Sequence, residues 1–171
     1  MIAVVASDPP PAVRLAEPAD AEAIRAIYNR EVTGSTVTFD LVPRTPEAQR
    51  AWLAAHAGAH PAVVAERDGA VLGFGSLSAY RPRPAYATTV EDSVYVHHEA
   101  RRQGVGAAIL EELMRVATRH GFHAVMARIV GGHEASIRVH RACGFELVGV
   151  EKEVGRKYGR WLDVVLMQRL L

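Results

Sequence analysis

Three consecutive polar residues, Glu91-Asp92-Ser93, interrupt an otherwise apolar run that holds Val90 before them and Val94-Tyr95-Val96 after them. A buried charge is costly unless it is paired or used. A carboxylate beside a desolvated cleft has its pKa raised and can take a proton from an amine, directly or through water. Structural pairing of Glu91 with an arginine such as Arg83 is the other reading. Soon after comes Arg101-Arg102-Gln103-Gly104-Val105-Gly106, a basic glycine loop that opens a long apolar-periodic stretch. A strand that empties into a helix start of this kind is an anion seat. The first backbone N–H groups have no intrahelical acceptor, and the helix dipole adds roughly half a positive charge. The glycines carry no Cβ that would keep a phosphate from the backbone, and Arg102 can pair with phosphate oxygens. A dinucleotide site would need a third glycine where Ile109 stands, so that reading fails.

Further candidates flank this centre. Arg81 and Arg83, one residue apart, can clamp a carboxylate or phosphinate bidentately. His140 precedes Cys143-Gly144-Phe145 at a spacing that puts His140 and Cys143 on one helix face. A thiol nucleophile is the weaker reading of that pair, because a helix-end position before Gly144 is usually small and packed. A lone helical histidine is, in turn, more often a packing residue than a catalytic one.

The elements that must position these groups can be read from periodicity and punctuation. A strand is expected over 12–16 and a helix over 18–32, with Ala23, Ile24, Ile27, Tyr28 and Val32 on one face. The β-branched and aromatic stretch 35–40 reads as extended. Thr45-Pro46-Glu47 starts a helix with a hydroxyl cap, a proline and an acid. Strands 62–67 and 70–79 flank an Asp68-Gly69 hairpin turn, and the prolines of Arg81-Pro82-Arg83-Pro84 mark a loop. Then follow a strand over 88–96, a helix over 104–121, a strand over 123–130 and a helix over 134–143. Two strands, 145–154 and 161–169, surround a turn at 155–159. The order is α+β, a mixed sheet with one right-handed βαβ unit.

Length and composition set outer bounds. The chain has 171 residues, 49% of them hydrophobic and 23% charged, which suits one domain with a real core. Residues 1–12 are expected to be a flexible tail before a single domain over 13–171. A net charge of +1 argues against a nucleic-acid partner. No window reaches the ~18 apolar residues of a membrane span. The single cysteine excludes an internal disulfide framework and fits a reducing cytoplasm. No zinc-type histidine spacing is present, so no metal is expected.

Taken together, Arg101 to Gly106 and Val139-His140-Arg141-Ala142-Cys143-Gly144-Phe145 resemble the acyl-CoA-binding core of the GCN5-related N-acetyltransferases (GNAT). The stretch Thr89-Val90-Glu91-Asp92-Ser93-Val94-Tyr95-Val96 narrows the likeness to the phosphinothricin-type and methionine sulfone/sulfoximine acetyltransferases. Ile27-Tyr28-Asn29, Ser35-Thr36-Val37-Thr38-Phe39, Arg81 to Tyr86 and Gly155 to Val164 fit the same subfamily, in the right order. The resemblance spans about 13–170. It implies a central, mostly antiparallel sheet with helices on both faces, and acetyl-CoA as cosubstrate. It implies that Val94, Tyr95 and Val96 line the pantetheine arm, with a strand N–H as oxyanion donor. The cofactor seat would be Arg101, Arg102, Gln103, Gly104, Val105, Gly106 and Ala107, with His133 and Ser136 nearby. His133 stands where relatives commonly carry asparagine, a change that removes the amide's paired donor and acceptor.

By the same resemblance Glu91 is the base and His140, where many relatives have tyrosine, assists proton transfer. Phe39, Arg81, Arg83 and Tyr86, with Glu91, Asp92 and Ser93, would contact a small amine substrate, the α-amine of an amino acid or analogue. Family members pair as homodimers, with the region of Trp161 in the interface. Acetylation of protein N-termini or of another small amine, and acyl-CoA binding without catalysis, are the rival readings.

Overall fold

The computed structural model describes residues 9–171, and of the expected tail residues 1–8 lie outside them. Pro9 to Pro11 carry no regular structure, and Ala12 opens the first strand. The elements run β1 (Ala12–Leu15), α1 (Ala21–Gly34), α2 (Pro46–Ala55), β2 (Ala62–Arg67), β3 (Ala70–Ala79), β4 (Thr89–Val96), α3 (Val105–Arg119), β5 (Ala124–Val130), α4 (Glu134–Ala142), β6 (Glu146–Lys157) and β7 (Arg160–Leu170). Local chemistry accounts for the main boundaries. The Thr45 hydroxyl accepts the Ala48 N–H at 3.1 Å and caps α2. Asp68 and Gly69 both have positive φ, 51° and 78°, and make the tight turn between β2 and β3.

The seven strands form one sheet in the order β1-β2-β3-β4-β5-β7-β6. Every neighbouring pair is antiparallel except β4 and β5, which α3 connects as a βαβ unit. Helices cover both faces. On one side Ile109, Leu110 and Leu113 of α3 pack on Val63, Leu77, Val90 and Val125 of the sheet. On the other, Ile24, Ile27, Tyr28 and Val32 of α1 and Leu53 of α2 pack on Val64 and Phe74. The stripe expected for α1 is therefore the buried one except at Ala23, which is only half-buried, and it recurs with the helical period.

The parallel ladder is short. It joins Thr89 to Ala124, Val90 to Val125, Glu91 to Met126 and Asp92 to Ala127, and then stops. Beyond that point β4 stays bonded to β3 as far as Val96–Gly73, and β5 stays bonded to β7 as far as Val130–Val164. Each strand is held from its outer side, so the two part from one another in the middle of the sheet.

Two expectations are corrected. Residues 35–40 are a series of bends rather than a strand. Their β-branched character finds no ladder partner, and they are pinned by side chains instead, as described below. The turn expected over 155–159 shrinks to Tyr158-Gly159, both with positive φ, and β6 continues through Gly155 to Lys157. Gly155 serves packing rather than turning: a Cβ there would lie 2.4 Å from the Phe39 ring. Register shifts between Leu147 and Gly149 and between Glu151 and Gly155 absorb the extra residues of β6.

Candidate active site

The parting of β4 and β5 opens a cleft of about 560 Å³. Its walls are Asp92–Val96 of β4, Ala127–Val130 of β5, the start of α3 and the inner side of α4. On β4, the backbone groups that face β5 after Asp92 have no ladder partner. Unpaired backbone groups seek a hydrogen-bond partner, so this half of the strand is an open edge that can bond an extended ligand. The sequence places Val94, Tyr95 and Val96 here, and all three line the cleft.

The basic loop closes one end. Arg102 and Gly104 both adopt positive φ, 65° and 79°, which turns the chain sharply into α3. The bond from Ala108 N–H to the Gly104 carbonyl, 3.0 Å, opens the helical ladder. The amides of Val105, Gly106 and Ala107 thus precede it, at the positive end of the dipole. All three residues line the cleft with Arg101, Arg102 and Gly104. Arg101 is tied to the buried Glu31 of α1 at 2.6 Å, and Glu31 also accepts the Ser35 hydroxyl at 2.7 Å. Arg102 stands exposed at the mouth. Gln103 is turned away: its amide donates to the Glu99 carbonyl and accepts from Arg67. It latches the loop to the end of β2 and does not line the cleft.

The other end is built by α4. His133 is its N-cap residue, makes no capping bond with its side chain, and sets Nε2 3.4 Å from the Thr36 hydroxyl. Burial pulls the His133 pKa down, and Arg101 adds to that against the opposing charge of Glu31. Ser136 lies one turn before His140, with its hydroxyl 3.4 Å from the His140 Nδ1. His140 itself is buried, and its Nε2 stands 3.0 Å from the Asp92 Oδ2. Asp92 was expected to meet substrate. It faces α4 instead, on the same side of β4 as Val90.

Glu91 and Ser93 face the opposite side with Tyr95, whose ring stacks on Phe74 with centroids 5.2 Å apart. Glu91 is half-buried next to the point where the ladder ends. Burial raises its pKa; Arg128 and Arg81 lower it and Asp92 and Glu151 raise it by smaller amounts. Arg83, the partner named in the alternative reading, is not among these neighbours; the arginine that weighs most on Glu91 is Arg128, itself bound to Glu151 at 2.6 Å.

The remaining substrate-side residues lie on the approach surface rather than in the cleft. Arg81 stacks on Tyr80 and Tyr86, 5.0 and 5.9 Å from the ring centroids. Arg83 leads into the short 3-10 turn Pro84–Tyr86. Phe39 sits on Gly155. Its segment is fastened from two directions: Tyr28 OH lies 3.0 Å from the Thr38 hydroxyl, and the buried Lys157 donates to the Thr38 carbonyl at 2.9 Å; beside it Tyr158 donates to the Val32 carbonyl of α1 at 3.2 Å.

Sequence reasoning missed Glu31, Arg128 and Lys157. The signal for the first two was present: Glu31 falls in the apolar stripe of α1, and Arg128 interrupts the apolar run of β5 as Glu91 interrupts that of β4. Lys157 gave none, since it was placed in a turn. Among the described residues no group of three His, Cys, Asp or Glu side chains could hold a metal ion. Among the described residues no helix is long and apolar enough to cross a membrane.

Comparison with known proteins agrees with this geometry. Residues 13–166 match the acetyltransferase (GNAT) domain family. A phosphinothricin N-acetyltransferase of Alcaligenes faecalis is 44% identical over 161 residues, covering 93% of this chain and 82% of that one. An L-methionine sulfoximine/L-methionine sulfone acetyltransferase of Pseudomonas paraeruginosa is 40% identical over 158 residues, 91% and 92% of the two chains. The crystal structure of a Sinorhizobium meliloti phosphinothricin acetyltransferase in complex with AcCoA superposes with a TM-score of 0.92 at 41% identity, over 95% of this chain and 89% of that one. The chain belongs to the GNAT acetyltransferase family and is an N-acetyltransferase.

Proposed function

We propose that this enzyme transfers the acetyl group of acetyl-CoA to the α-amine of a small amino acid or analogue of the phosphinothricin or methionine sulfone/sulfoximine type. The observation that carries the proposal is the open strand edge at Val94–Val96, with an anion seat at one end and the half-buried Glu91 beside its apex. The residues fit acetyl-CoA as cosubstrate. Arg102 and the amides of Val105 to Ala107 would hold its phosphates, and the unpaired β4 backbone would bond its pantetheine arm. A strand N–H would meet the thioester oxygen as negative charge develops there.

An α-amine has a pKa of ~8 and is mostly ammonium at neutral pH. Glu91, in its ionised form, would take a proton from the ammonium so that the neutral nitrogen attacks the thioester carbonyl in a ternary complex; the N–C bond forms, the C–S bond breaks, and the thiolate of CoA leaves and takes up the proton the nitrogen still has to lose. Arg81 and Arg83, neither in an ion pair among the described residues, would receive the substrate carboxylate or phosphinate. Phe39 and Tyr86 would form the side-chain wall. His140, on the α4 side, would meet the charge that develops on the leaving thiolate.

Thiol release from acetyl-CoA, measured with free amino acids, their phosphinate, sulfone and sulfoximine analogues, and short peptides, tests the substrate class. Release is expected with free α-amino acids and not with peptides. Release with peptides alone would replace the proposal with N-terminal acetylation of proteins, and CoA binding with no release from any amine would reduce the chain to a binding module.

The chain is also expected to work as a homodimer in the cytoplasm, with the lone buried thiol of Cys143 kept reduced. β6 is an edge strand of 12 residues, and Leu147, Val148, Val150 and Val154 on it, with Trp161 on β7, are exposed. Such an edge is a template for pairing with another chain. Sedimentation equilibrium should give twice the chain mass of 18.6 kDa; a monomer at micromolar concentration would exclude the pairing.

A further inference from the structure

Asp92 and His140 form a pair that the sequence did not announce, 48 residues apart. Their side chains are 1% and 5% exposed, so both are almost wholly withdrawn from water although they line the cleft. The imidazole has an acceptor at each nitrogen: the Ser136 carbonyl lies 2.8 Å from Nδ1, and the Asp92 Oδ2 lies 3.0 Å from Nε2. A carbonyl oxygen can only accept, so Nδ1 must carry a proton. A carboxylate also only accepts, so an ionised Asp92 requires a second proton on Nε2. The other Asp92 oxygen, Oδ1, is buried with no hydrogen-bond partner. A buried carboxylate left half-bonded is tolerated when its charge is neutralised within the pair.

We propose that Asp92 is a positioning residue that keeps His140 doubly protonated, so that the imidazole is a fixed positive charge on the α4 side of the cleft and not a proton acceptor. The amine proton then has one carboxylate destination, Glu91, on the opposite side of the strand. The two carboxylates of consecutive β4 residues are thereby given different work: Glu91 exchanges protons, and Asp92 holds one in place. This extends the acetyl-transfer reading above and rests on it for the kinetic consequence alone; the protonation state stands independently.

The surroundings are consistent with the assignment. Burial pulls the His140 pKa down, but the Asp92 hydrogen bond, its charge and the Ser136 carbonyl together outweigh it, and the net direction is up. The Phe145 ring meets the imidazole edge-on, with centroids 5.1 Å apart, and supplies no competing charge. At the C-terminal end of α4, Cys143 feels Glu111 of α3, Arg169 of β7 and Asp92, and Arg169 donates to the Cys143 carbonyl at 2.6 Å. Arg141 follows on the same helix, and Glu91 is the next titratable group on β4.

The test is NMR titration of the full-length protein labelled with 15N-histidine, with His140 assigned by comparison with His140→Gln. In the wild type the His140 ring should stay an imidazolium well above the ordinary histidine pKa of ~6.5. In Asp92→Asn its midpoint should fall by at least one pH unit, and Asp92→Glu should recover part of the loss. The kcat of Asp92→Asn should drop at least tenfold with KM for acetyl-CoA within about twofold, and the basic limb of its kcat/KM profile should move to lower pH. A neutral His140 ring in the wild type at pH 7 would overturn the proposal and needs no variant to observe. So would a titration that Asp92→Asn leaves in place, or a shifted titration with unchanged kcat. Failure of the acetyl-transfer reading alone would show as an absence of turnover with an intact imidazolium signal.

Discussion

Glu91→Gln is expected to lower kcat by about 10²–10⁴-fold, the usual contribution of a positioned general base, while leaving KM for acetyl-CoA nearly unchanged. The glutamine keeps the shape and loses the proton acceptor. The pH profile supplies the second signature. Burial raises the Glu91 pKa against the opposing pull of Arg128, so kcat/KM of the wild type should fall with acid along a limb that lies above the ordinary glutamate value of ~4.3. That limb should vanish in the variant. Linkage gives the sign for stability. A carboxylate whose folded pKa is raised binds its proton more tightly when folded, so its favourable contribution is present below the unfolded pKa and lost as pH rises through the folded one. At neutral pH the ionised Glu91 is therefore a burden on the fold, and Glu91→Gln should unfold no earlier than the wild type on heating. Inactivity with undiminished stability separates chemistry from misfolding. A variant that retains full turnover would remove Glu91 from the reaction.

Gly75→Ala addresses the scaffold. A Cβ at Gly75 would lie 2.5 Å from the Ile109 Cγ2, 3.0 Å from the Leu113 Cδ1 and 3.0 Å from the Ser93 carbonyl oxygen. Ile109 and Leu113 are fully buried and the third contact is backbone, so none of them can yield cheaply. Overpacking of this kind costs roughly 1–3 kcal/mol. At about 2–4 °C per kcal/mol for a chain of this size, the Tm should fall by roughly 2–12 °C. The functional link is direct, because Ile109 belongs to the helix whose first turn is the proposed anion seat. Displacing α3 from β3 moves that turn, and acetyl-CoA affinity should weaken with the Tm. Gly149→Ala is the control, since its Cβ would meet nothing within 4 Å. An unchanged Tm in Gly75→Ala would show that α3 is not seated as tightly as these distances imply.

The most legible part of the sequence was the continuous one. The path from Thr89 through Gly106 into α3 is local: an apolar strand, a glycine turn and an amphipathic helix follow one another, and each signal confirms the next. Along that path the strand and helix boundaries fell within a residue or two, whereas β6 runs three residues past its expected end. What pairing decides was hidden. Asp92 and His140 were both singled out, but nothing in their spacing says that they meet, because the meeting depends on which face of β4 turns towards α4. Gln103 sits inside the loop motif, and only the three-dimensional turn sends it outward to Arg67. Residues 35–40 misled for a related reason: Val37 and Thr38 have strand propensity, but propensity cannot act without a neighbouring ladder. Gly155 was taken for a turn residue because a glycine without context reads as flexibility, whereas here it is a flat place for an aromatic ring.

That flat place ties together parts of the chain that lie far apart. Lys157 reaches Thr38 across 119 positions, Tyr158 reaches Val32 across 126, and Phe39 rests on the backbone of Gly155. If Phe39 forms the substrate wall proposed above, amine preference becomes a joint property of the 35–40 bend and the final hairpin. Evolution or an engineer who exchanges one of them for the version found in a cousin with different tastes inherits a misfitted half, and the two have to be transplanted as a matched set.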